Sequence, residues 1–144
     1  MVPKIVILVH LLAAMIWTGG HLILSIGFLP AALKNNDFSV ISSFEERYEK
    51  IGIPSLLVLV ITGIYMATVY TPTLFKLEMQ DHYTRHIIFK LILLILTIGL
   101  ATHARFFLIP KKKLRPLAWH ILSVTIIAVL FVFVGFSARS GGIL

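Results

Sequence analysis

Residues 5–33 read IVILVHLLAAMIWTGGHLILSIGFLPAAL, an apolar run of twenty-nine residues that holds two histidines and no Asp, Glu, Lys or Arg. The hydrocarbon core of a bilayer is about 30 Å thick and needs about 20 apolar helical residues to cross it. Inside it the backbone must satisfy its own hydrogen bonds, which a helix does. Three more stretches meet the same test: Ile51–Tyr70, Ile87–Ile109 and Leu117–Phe136. The expectation is an all-α, up-and-down four-helix bundle integral to a membrane. It forms one transmembrane domain over residues 1–144, with helices at about 4–33, 43–70, 85–109 and 116–138.

Composition agrees. Of 144 residues, 58% are hydrophobic, and the mean hydropathy is +0.97, well above that of an ordinary globular chain. The first run is too long for a signal peptide and lacks a small-residue cleavage site. Cysteine is absent, which removes disulfides, thiolate metal sites and iron–sulfur clusters. The net charge of +7 points away from nucleic acid, because the basic residues gather at the ends of the spans. Eight of them flank the first and third connections, Lys111–Lys113 and Arg115 included, against four on the other side. The positive-inside rule then places those connections in the cytoplasm and both termini on the periplasmic side of a bacterial inner membrane.

Within the spans a few residues do not belong in lipid. An ionisable side chain at membrane depth is costly and marks function. His10 is such a residue. Trp17 and His21 follow seven and eleven positions later, within roughly 20° of it around a helix, and Gly19 and Gly20 leave room beside them. His86 and Lys90, four residues apart, share a face of helix three, while His103 and His120 sit near the other membrane edge. Two layers result: His10, His86 and Lys90 outward, and His21, His103 and His120 inward. His10 and His21 are about 16 Å apart along the axis. His82 reads as a solvated loop residue. The run Glu45, Glu46, Arg47, Glu49, Lys50 reads as a solvated helical face. Ser42 and Ser43, each with a glutamate three residues on, read as the cap of helix two.

Imidazole on a helix suits axial ligation of haem b, and the candidate site is therefore His10, Trp17, Gly20, His21, His86, Lys90, His103 and His120. His10 leads, with Lys90 or His86 as its partner. His21 with His103 or His120 would hold a second haem. The redox partner would be a membrane quinone or a porphyrin-type reductant. Copper is the alternative occupant, although Met1, Met15, Met66 and Met79 form no cluster that would suit Cu(I). A third reading is a small subunit, self-paired as a homodimer or joined to a partner, whose histidines are structural.

These residues give the chain a resemblance to the CopD-like group of small membrane proteins, which includes copper-resistance D domains and the haem-containing bacterial protoporphyrinogen oxidase. The matching pieces are His10 with Trp17-Thr-Gly-Gly20, Leu29-Pro30, the segment FEERYEKIGIPSLLVLVITGIY at residues 44–65, and Phe89-Lys90-Leu91. The resemblance implies a helical membrane protein that takes haem through His10 and Lys90, or one that handles copper. Helix four, WHILSVTIIAVLFVFVGF at residues 119–136, departs from the Asn-Glu-Pro-Thr-type motif of the oxidase branch.

Overall fold

The computed structural model describes residues 3–70, 76 and 82–140. Met1, Met79, most of the connection at 71–81 and Gly141-Gly142 lie outside the described residues. Four helices carry the chain, each long and apolar enough to cross a membrane: α1 Lys4–Asn35, α2 Phe38–Tyr70, α3 His82–Leu108 and α4 Leu114–Arg139. Leu8, Met15, Ile61, Ile95 and Ile126 lie on the outer surface, as lipid-facing residues should. The buried interior includes Ser25, Ser55, Thr97 and Thr125, small hydroxyl residues that let helices approach closely in a membrane.

Two of the helices change pitch just before a proline. Residues 24–28 of α1 form a π-turn, closed by the Leu29 amide on the Leu24 carbonyl, and Pro30 follows. Residues 104–108 of α3 do the same, with the Ile109 amide on the Ala104 carbonyl at 2.9 Å, and Pro110 follows. Proline has no N–H and its ring crowds the carbonyl four residues back; a wider turn ahead of it relieves that crowding. Pro54 lies inside α2, which runs through it as one helix.

Asn36, in the left-handed conformation at φ 49°, stops α1. Asp37 then starts α2 by accepting from the Ser39 amide at 3.0 Å and the Ser39 hydroxyl at 2.6 Å. The start therefore lies upstream of Ser42 and Ser43, which the sequence had suggested as the cap. The tight link from α3 to α4 passes through Lys112, also left-handed at φ 52°.

Antiparallel contacts fix the topology. His10 meets Thr62, Ser25 meets Thr125, and His82 meets Ala138. α1 packs on α2, α3 on α4, and α1 on α4, whereas α2 and α3 are not a packed pair among the described residues. They meet at their ends, through the Tyr70 and Tyr83 rings 6.2 Å apart and through an Arg105–Glu49 ion pair of 2.7 Å. α4 is the most enclosed helix, with 33% of its apolar window buried against 11% for α3. The largest apolar cluster, including Leu24, Ala32, Ile41, Leu108 and Leu117, closes the end that carries the two tight connections.

Candidate functional site

The polar interior falls into two layers, one near the chain termini and one toward the tight connections. In the first, the Nδ1–H of His10 donates to Thr62 Oγ1 at 2.7 Å. The Thr62 hydroxyl has its own acceptor, the Val58 carbonyl at 2.6 Å, so it receives the imidazole proton rather than supplying one. That fixes the tautomer and leaves His10 Nε2 with a bare lone pair and no partner among the described residues. Gly63 of α2 stands beside the ring, where an added Cβ would lie 3.4 Å from His10 Cε1, in ordinary van der Waals contact. Lys90 and Arg139 are near enough to act on His10 electrostatically. Lys90 Nζ lies over Gly135, where an added Cβ would be 3.4 Å away, and it makes no hydrogen bond or ion pair among the described residues.

His86 belongs to the same layer but is committed. Its Nδ1–H donates to the His82 carbonyl at 2.6 Å, and its Nε2 lies 3.2 Å from the Ser137 hydroxyl. Both of its nitrogens have partners in the protein, so as a ligand partner for His10 it is worse placed than Lys90. His82 is not a solvated loop residue. It opens α3, donates from Nε2 to the Ala138 carbonyl at 3.3 Å, and its ring lies 4.2 Å from that of His86. Helix α3 starts earlier than the hydropathy pattern implies, and this brings the His82 side chain onto the end of α4.

In the second layer His21 repeats the arrangement of His10. Its Nδ1–H donates to the Trp17 carbonyl at 2.8 Å, and Nε2 has no partner among the described residues. The ring is nine-tenths buried, 4.4 Å from Trp17 and 5.6 Å from Tyr48. Tyr48 is the residue that sequence reasoning missed. Its ring wedges between Gly20 and Gly52, where an added Cβ on either would collide with it. Its hydroxyl donates to the Ile16 and Trp17 carbonyls at 3.1 and 3.0 Å. The room beside Gly20, read from the sequence as part of the cofactor site, holds this phenol. Nothing lies within 4 Å of a Cβ on Gly19.

His103 and His120 pair at the edge of this layer. The Nδ1–H of His120 donates to the Pro116 carbonyl at 2.9 Å, so its Nε2 accepts from His103 Nδ1–H at 2.8 Å. This relay leaves His103 Nε2 bare. His10, His21 and His103 thus share one design: one nitrogen anchored, the other free. Anchoring Nδ1–H on a carbonyl or hydroxyl is how a protein orients an imidazole that binds metal through Nε2. Among the described residues no group of three or more His, Cys, Asp or Glu side chains is arranged to hold a metal ion.

A cleft of about 160 Å³ runs between the helices at this level, walled by Trp17, His21, Tyr48, Leu100, His120 and Val124 among others. A wider vestibule of about 280 Å³ adjoins it, lined by Phe38, Ser42 and Glu46. Glu45, Glu49 and Arg105 border both. Glu49 is therefore not part of an idle solvated face: it bridges α2 to the π-turn of α3.

A family model described as copper resistance protein D matches residues 42–139. No curated protein and no solved structure matches the chain. The match runs through α2, α3 and α4, including the helix in which the sequence departs from the oxidase branch, and α1 lies outside it. With more than half of its length inside that match and four membrane-spanning helices, this integral membrane protein belongs to the copper resistance protein D family.

Proposed function

We propose that the protein binds copper in transit through the membrane, with imidazole nitrogens of α1 as its donors. The observation that carries this reading is His10, at membrane depth, with Nδ1–H locked on Thr62 and Nε2 bare. Copper(II) leads the divalent first-row metals in affinity for nitrogen sites, and with no cysteine in the chain nitrogen is the strongest donor type on offer. His10 Nε2 and Lys90 Nζ are uncommitted nitrogens of the first layer; His21 and His103 supply those of the second. Sets this sparse suit an ion that must leave as readily as it enters. The basic connections would face the cytoplasm, so the His10 layer would lie toward the outside.

Haem b would draw on the same nitrogens, but beside His21 the room is taken. The notch at Gly20 is filled by Tyr48. Purified protein in equilibrium dialysis against copper should take up the metal and show no Soret band, and His10→Ala should lose most of the copper. A Soret band in the protein as isolated, shifted in His10→Ala, would overturn the copper reading in favour of haem.

A further inference from the structure

The inner cleft has an apolar wall and a free carboxyl, Glu45, that the passage of copper does not explain. Two of its groups are unpaired hydrogen-bond acceptors: His21 Nε2, fixed as an acceptor because Nδ1–H is spent on Trp17, and the Glu45 carboxyl, which has no hydrogen-bond partner among the described residues. His21 is nine-tenths buried, so its bare nitrogen is not satisfied by bulk water, and leaving it unpaired is costly. Most of the remaining wall is apolar, from Trp17, Leu100, Ile121 and Val124. The cleft sits where α2 and α3 are not packed on each other, so a tail could pass between them into lipid. Its volume of about 160 Å³ matches one six-membered ring: an engineered apolar cavity of about 150 Å³ takes up benzene.

We infer that this cleft is a binding site for the head of a hydroquinone-type lipid, a single aromatic ring whose hydroxyls donate to His21 and Glu45. The fixed acceptor at His21 selects the hydroxylated form over the oxidised one, which has no O–H to give it. The site does not use His10 but shares His21 Nε2 with the inner copper layer, so the ring and the metal would compete there, and the test is made on metal-free protein.

The chain has two tryptophans; Trp17 lines the cleft and Trp119 is exposed. In a Trp119→Phe background, fluorescence therefore reports on Trp17 alone. Metal-free protein in detergent, kept anaerobic, is titrated with trimethylhydroquinone and, separately, with its dimethyl ether. Saturable quenching by the hydroquinone is expected, with the ether at least about tenfold weaker, since it lacks both donors. Glu45→Met, similar in length but without the acceptor, should weaken the hydroquinone by about tenfold, and so should His21→Phe. Equal binding of hydroquinone and ether would overturn the inference, as would quenching that climbs linearly without saturation, the mark of partition into the micelle. The ether comparison uses no cleft variant, so it decides the matter even if His21→Phe fails to fold.

Discussion

His10 illustrates how a costly residue is made useful. A neutral imidazole in a membrane needs a partner for its N–H, and Thr62 supplies one without competing for the other nitrogen. Thr62→Val keeps the shape and removes the acceptor. Loss of such an outer partner typically costs 10–100-fold in metal affinity, and a competition titration of Thr62→Val against a copper chelator should show a loss of that order. The glycines give a separate test at this scale. Gly20→Ala must displace a tyrosine ring already confined by Gly52. Overpacking of this kind costs about 1–3 kcal/mol, which thermal unfolding in detergent would report as a lowered midpoint.

The helices themselves were readable because hydropathy, length and the absence of charge all point one way in lipid. Their ends were less so. Ser42 and Ser43 carried the pattern of a capping box, yet Asp37 caps α2, because Asn36 reverses the chain first. Asp37→Ala should cost about 1 kcal/mol through loss of that cap, whereas Ser43→Ala should cost little, and the two unfolding curves would separate the alternatives. The π-turns left a trace in Pro30 and Pro110, but no periodicity announces that a proline will be met by a wider turn. The depth and face of His10 and His21 followed from residue counting along α1. Their tautomers did not, because Thr62 lies fifty-two positions away. Tyr48 was hidden for a similar reason: it sits in a charged run, and only its insertion between Gly20 and Gly52 removes it from the surface. Glu49 looked like a partner for its helical neighbours until α3 placed Arg105 beside it. With side-chain exposures of 57% and 30%, that ion pair should contribute no more than about 1 kcal/mol in a double-mutant cycle. Its use is to span α2 and α3 at the cleft, not to hold the bundle together.

At the scale of the molecule, the bundle has a closed end and a polar interior, with the basic connections at the closed end. Because the chain contains no cysteine, orientation can be read with single introduced cysteines. Lys112→Cys should be labelled by a membrane-impermeant maleimide only after the inner face is exposed, and Lys4→Cys from the outside; the reverse pattern would invert the topology and with it the direction in which the two histidine layers are met. The central claim is that copper is held by imidazole inside this bundle. The most direct measurement is the X-ray absorption spectrum of the copper-loaded protein beside that of His10→Ala. Imidazole nitrogen scattering around copper is expected in the first, with one histidine fewer, or no bound copper, in the second. A spectrum free of imidazole scattering, or one unchanged by His10→Ala, would contradict it.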